Sequence, residues 1–145
     1  MNKQFLRKAT LFYIISFQAC ASPTEETFTC PEKIHLKASV SDTIPGWEVQ
    51  SIAADHFLIS TTFSDGHPSQ MGYLRPSRTI GKNESIMGIE SAIYDLSDMM
   101  SGEAWLVCQY ANTSAILTKQ LSKLYSKCEV SLPKDISEQK VVCKS

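Results

Sequence analysis

The 145-residue sequence has no apolar run long enough to cross a bilayer, which takes about 20 consecutive residues. Its main apolar run spans residues 9–17 and follows three basic residues, with no acidic residue among them. A short apolar run behind a basic start is typical of an export signal. We therefore expect residues 1–21 to be a signal peptide.

Cys20 has two alternative fates at the end of this signal. Ala19-Cys20-Ala21 fits the small-x-small pattern of the general signal peptidase, whose cut before Ser22 would discard the cysteine. Residues 17–20 also loosely match a bacterial lipobox, which would keep Cys20 as a lipidated first residue. Both alternatives predict a periplasmic protein, either soluble or tethered to the outer membrane through Cys20.

The sequence also lacks the common catalytic signatures. It contains no G-x-S-x-G elbow, no H-E-x-x-H motif and no glycine-rich phosphate loop. Serines, histidines and aspartates can be combined into a triad on paper, but no sequence context supports one. We therefore predict no catalytic residue and no cofactor.

Metal-ligand spacing is absent as well, because neither C-x-x-C nor a paired histidine motif occurs. His35 lies on the polar side of a predicted strand. His56 with Asp55, and His67 with Asp65, could each offer a metal two ligands. All of them are better explained as solvated or turn-capping side chains, and we predict no metal site.

A basic stripe is missing too. The chain has 14 basic and 15 acidic residues, and without residues 1–21 its net charge becomes −4, so nucleic acid is not an expected partner.

Glu90 and Asp95 could form a glycosidase-like carboxylate pair, although a solvated acidic face explains them better. The acidic residues do cluster, and a basic protein partner could bind this candidate region: Glu84, Glu90, Asp95, Asp98 and Glu103. Met99 and Met100 either add an adaptable apolar spot beside it or belong to the core.

Five cysteines are present, and four remain once Cys20 is set aside: Cys30, Cys108, Cys128 and Cys143. An even number in an exported chain predicts two disulfides, although four cysteines allow three connectivities. Residues 128–132 and 139–143 can form a hairpin that places Val130 opposite Val141 and Cys128 opposite Cys143. This register favours the Cys128–Cys143 bond, which leaves Cys30 to pair with Cys108.

Period-two alternation predicts most of the chain to be strand. Strands are expected over residues 33–40, 47–53, 56–63 and 71–76, with a tight turn at Ser64-Asp65-Gly66-His67-Pro68. Residues 85–100 fit both a helix and a strand, and a strand is favoured for 91–97. Further strands are expected over residues 103–110, 113–121 and the closing hairpin.

These elements predict a mainly β protein, a small antiparallel β-sandwich or curled sheet of about eight strands, stapled by disulfides. The expected organisation is a signal peptide at 1–21, a flexible N-terminus at 22–29 and a single β-rich domain at 30–145.

The order of the motifs resembles a family of small exported bacterial proteins with no established reaction. The shared skeleton is C-P-x-x-I, G-W, D-G-x-P, L-x-P, W-x-x-C-x-Y-x-x-T and two closing cysteines, which begins here at Cys30. One departure is Tyr94, where the family commonly has tryptophan. Some relatives lie near type VI secretion genes, which implies an immunity protein that acts against a periplasmic toxin.

The favoured function is accordingly a non-enzymatic, exported binding protein that neutralises a toxin or a cell-wall enzyme. Two alternatives stay open. One is a structural or accessory envelope lipoprotein without an inhibitory role, and the other is a hydrolase of unfamiliar design.

Overall fold

The architecture comes from a computed structural model, which describes residues 24–37, 39, 45–48, 50, 52–81 and 88–145. The predicted signal peptide, with Cys20, lies outside the described residues, as does Glu84. The described part of the chain is built from nine strands: β1 (Glu25–Phe28), β2 (Lys33–Lys37), β3 (Ala53–Asp65), β4 (Arg78–Gly81), β5 (Ile89–Asp95), β6 (Ala104–Tyr110), β7 (Ile116–Gln120), β8 (Lys127–Ser131) and β9 (Val141–Lys144). Two single-turn 3-10 helices, Pro68–Gln70 and Ile136–Glu138, lie between strands.

The strands form two antiparallel sheets, which confirms the predicted fold class. One sheet has five strands in the order β1-β9-β8-β5-β4, and the other has four in the order β2-β3-β6-β7. The 13-residue β3 pairs with β2 along its first half and with β6 along its second half. A register shift between Leu58 and Ser60 separates the two halves.

Alternation explains which side chains form the core. In β8 and β9 every second residue is buried, and these residues meet in register as Cys128↔Cys143 and Val130↔Val141. Phe63 of β3 and Leu106 of β6 reach the same cluster from the other sheet. The main core therefore lies between the inner faces of the two sheets, as expected when each sheet buries one face.

Four segments differ from the predictions. A strand was predicted over residues 47–53, but residues 47, 48, 50 and 52 are not in a strand. Strand β2 pairs directly with β3, so no other strand lies between them. Within 71–76 a single bridge joins Tyr73 to Ser64 instead of a full ladder. Strand β4 was not predicted, because all four of its residues are exposed and show no alternation of burial.

The N-terminus is the fourth difference. Residues 25–28, expected to be flexible, form β1 and pair with β9. Phe28 is buried in the core, and Lys144 forms an ion pair with Glu25 at 2.9 Å. Apolar burial and backbone pairing thus order a segment whose composition is polar.

Two disulfides join the same cysteine pairs that the sequence favours. Cys128–Cys143 links the paired strands β8 and β9, with a Cα–Cα distance of 4.1 Å. Cys30–Cys108 ties the segment between β1 and β2 to β6, with a Cα–Cα distance of 5.8 Å. The second bond therefore fixes the place where the chain passes from one sheet to the other.

The two bonds should differ in their contribution to stability. They span 78 and 15 residues, so the chain-entropy model assigns about 4.5 kcal/mol to Cys30–Cys108 and about 3 kcal/mol to Cys128–Cys143. We expect the paired C30S/C108S variant to lose more unfolding free energy than the paired C128S/C143S variant in urea titrations. An equal loss, or the reverse order, would contradict this entropic account.

Candidate functional site

The first candidate residues, His35 and Asp55, form a surface ion-pair cluster. The Asp55 carboxylate contacts His35 Nδ1 at 2.8 Å and Lys33 Nζ at 2.9 Å. The hydrogen bond to His35, followed by the contacts with Lys33, lowers the pKa of Asp55. All three side chains are exposed, so this cluster decorates the outer face of the four-stranded sheet.

His56 does not join Asp55 in a ligand pair. Successive residues of a strand point to opposite faces, and His56 Nδ1 lies 2.8 Å from the carbonyl oxygen of Ala111. The side chain thus links β3 to the turn between β6 and β7. Among the described residues no group of three histidine, cysteine or acidic side chains could hold a metal ion.

The predicted acidic region is divided by the fold. Glu90 and Asp95 are five positions apart in β5, which corresponds to about 16 Å along an extended strand, too far for a glycosidase-like pair. Asp95 lies opposite Lys127 of β8, and hydrogen bonds from the side chain and backbone of Ser97 lower its pKa. Asp98 and Glu103 lie elsewhere, on the connection between β5 and β6 at one end of the sandwich.

Asp65 organises this end of the sandwich. Its carboxylate accepts hydrogen bonds from the Met100 amide at 2.8 Å, the Ser101 amide at 2.9 Å and the Ser101 hydroxyl. Its own amide donates to the carbonyl of Gly72 at 2.9 Å. One residue at the end of β3 therefore holds two loops, residues 66–74 and 96–103. The side chain and amide of Ser101, followed by the Met100 amide, lower the pKa of the Asp65 carboxyl.

A row of aromatic side chains lies beside these loops. Ser64 pairs with Trp105 of β6 and bridges to Tyr73, so the three residues lie side by side across the sheet. The His67 ring packs edge-on against Trp105 at a centroid distance of 4.9 Å. The indole Nε1 of Trp105 is buried and has no hydrogen-bond partner among the described residues.

Two methionines extend from the loops that Asp65 holds. Met100 is 98% exposed, and Met71 is 77% exposed in the left-handed conformation with φ of 59°. We call this group of residues at the end of β3 and on the adjoining loops the Asp65 platform, and it comprises Asp65, His67, Met71, Tyr73, Met100 and Trp105.

Sequence reasoning identified Met100 as an adaptable apolar spot and Asp65 as a turn residue. It missed Met71 and Trp105, because the loops come together only in the fold. The sequence signal for Asp65, an Asp-Gly turn, predicts a reversal but not a partner 35 residues away.

The described residues also form open grooves. The larger one, of about 470 Å³, is lined mainly by apolar side chains of β3, β5 and β8 and by the segment 132–139. Another, of about 340 Å³, lies between the edge strands β1 and β7. Neither groove is lined by Asp65 or His67. No helix in the described part of the chain is long and apolar enough to span a membrane.

Comparison with known protein families gives a match. The family model described as type VI secretion system Tli immunity protein matches residues 53–144, more than half of the chain. The match runs from β3 to β9 and includes the whole Asp65 platform. No curated protein and no solved structure matches the chain.

Replacing Asp65 tests its role as the link between the two loops. We expect D65A to lower the unfolding free energy by about 1 kcal/mol at pH 7, as for a lost capping side chain. We also expect it to speed hydrogen exchange at the Met100 and Ser101 amides. The matched control is D55A, which breaks only the exposed contacts with Lys33 and His35 and should leave exchange at these two amides unchanged.

The effect of D65A should depend on pH. The folded pKa of Asp65 is lowered, so the carboxylate stabilises the fold above its unfolded pKa of about 3.9. This stabilisation is lost as the pH falls through the folded pKa. The difference between the wild type and D65A in urea titrations should therefore shrink from pH 5 to pH 2. A difference that is constant over this range would contradict the assigned role.

Proposed function

Because the chain belongs to the type VI secretion system Tli immunity protein family, we propose that it binds a toxin delivered by a type VI secretion system and neutralises it in the periplasm. The observation that carries this proposal is the family match over residues 53–144. The matched region includes three of the four disulfide-bonded cysteines and both loops held by Asp65.

Two features support a periplasmic location. Disulfides persist in oxidising compartments such as the bacterial periplasm, and this fold contains two of them. The basic and apolar pattern of residues 1–21 is that of an export signal. Cleavage before Ser22 or before Cys20 releases the same domain, without or with a lipid anchor.

We further propose that neutralisation occurs by binding, without catalysis. The polar side chains that could have suggested chemistry have structural partners. His56 contacts the Ala111 carbonyl, His35 contacts Asp55, and Asp65 accepts hydrogen bonds from two loop amides. A rigid, disulfide-stapled body also loses little conformational entropy on association, which favours tight binding. We infer that such a body covers the active cleft of the toxin.

Protection of living cells tests the proposed function. Each candidate toxin encoded next to this gene would be directed to the periplasm of a sensitive strain that carries one of three forms of the protein. The full chain should restore growth, and a form without residues 2–21 should not, because it stays on the cytosolic side. A C20A form separates a soluble immunity protein, which still protects, from one that needs a lipid anchor.

A direct binding measurement completes the test. The oxidised protein without residues 1–21 should form a stable complex with the purified toxin and reduce its activity. Absence of protection by the full chain together with absence of a complex would overturn the proposal. Fatty-acid labelling that depends on Cys20, without any protection, would favour the accessory lipoprotein instead.

A further inference from the structure

We propose that the toxin docks on the Asp65 platform, and that the part of the toxin in contact with the platform is an apolar hollow bordered by basic side chains. This inference rests on the proposed function and adds to it the binding surface and the chemistry of the partner surface.

The first argument is the exposure of apolar side chains. Met100 is 98% exposed and Met71 is 77% exposed, and Tyr73, two residues after Met71, is 39% exposed. Unbranched thioether side chains adapt to irregular apolar surfaces, and tyrosine is enriched at the energetic centres of interfaces. An exposed group of this composition is typical of a protein-binding surface.

The second argument is that the methionines sit on loops already held in place. Asp65 binds the Met100 amide through its carboxylate and the Gly72 carbonyl through its own amide, so the methionine-bearing loops share one anchor. The loops also pack closely at Gly66, where an added Cβ would lie 2.9 Å from Gln70 Oε1 and 3.4 Å from Ser101 Cβ. Loops that are ordered before binding lose less entropy when the partner docks.

The third argument is the ring of Trp105, which is partly exposed and packs edge-on against His67. Its Nε1 atom is buried without an acceptor among the described residues, so this nitrogen is not accessible to a partner. Tryptophan is among the residue types enriched at interface hot spots, and the exposed part of the ring can contribute apolar contact area.

Charge indicates which partner surface fits. Residues 64–74 and 96–105 contain three acids, Asp65, Asp98 and Glu103, and neither lysine nor arginine. Arg75 follows the first segment, and Lys123 lies next to Gly102 at the margin of the second. The negative charge of Asp98 and Glu103 therefore complements basic side chains around the apolar hollow, and opposite charge of this kind accelerates association.

Substitution of the two methionines gives the direct test. The variant combines Met71→Asn, which tolerates the left-handed backbone, with Met100→Ser. Its matched control combines Ile52→Ser with Phe57→Ser, which are 81% and 54% exposed and lie toward the other end of β3. Loss of a hot spot predicts a toxin Kd raised about 30-fold or more for the platform variant and less than about 3-fold for the control.

The acidic residues are tested through kinetics. Asp98→Lys combined with Glu103→Lys should lower the association rate for the toxin by about tenfold at low salt and weaken its dependence on ionic strength. The same change at Asp55 and Glu48, which lie outside the platform, should have little effect. Thermal unfolding of all variants verifies that each one is folded.

The outcomes separate this inference from the proposed function. If the wild type binds the toxin and the methionine variant binds equally well, the platform is not the docking surface, while the immunity function stands. If the wild type does not bind, both proposals fail. If the methionine changes disrupt a dimer of this chain without altering toxin affinity, the platform is a self-association surface and the inference is overturned.

Discussion

The disulfide between Cys30 and Cys108 is the constraint on which the arrangement of the two sheets depends. Cys30 lies between β1, which belongs to the five-stranded sheet, and β2, which begins the four-stranded sheet. Cys108 lies in β6, near the centre of the four-stranded sheet. This single covalent bond therefore fixes the segment that connects the two sheets to an inner strand of the four-stranded sheet. A domain of this size has a modest core, and such a bond restricts the unfolded chain strongly.

The long strand β3 positions the Asp65 platform on this framework. Its first half pairs with β2 and its second half with β6, and it ends at Asp65. The position of Asp65 is thus set by two ladders of backbone hydrogen bonds. Its carboxylate then positions a loop that follows β5, far along the chain. Rigid strands and short hydrogen-bonded loops together hold these residues in place without a partner, which suits the proposed binding of a toxin.

How much the sequence could predict depended on burial. Where one side of a strand is buried, as in β8 and β9, alternation and the cysteines together predicted the correct register. Where a strand is exposed on both sides, as in β4, no period was visible and the strand was missed. Trp47 and Ile52 gave the opposite error, because apolar residues that remain in solvent imitate the pattern of a buried face.

The candidate site was less predictable than the fold. Grouping acids by sequence position placed Glu90 and Asp95 together, although they lie near the two ends of the extended strand β5. The Asp65 platform depends on contacts between residues about 35 positions apart, and no local pattern encodes these contacts. The link to type VI secretion was inferred from the resemblance to a family. The family match supports the immunity role but does not identify the binding surface.

Pairing between the first and last strands has a consequence for biogenesis. β1 forms its ladder with β9, and Ser145 donates to the Thr24 carbonyl, so the five-stranded sheet lacks its edge until the C-terminal residues are available. Pairing between such distant segments is slow to form. The five-stranded sheet therefore cannot be completed before β9 has been synthesised. Under the proposed export to the periplasm, β1 stays unpaired until β9 is available, which delays the folding of a chain that has to cross the inner membrane unfolded.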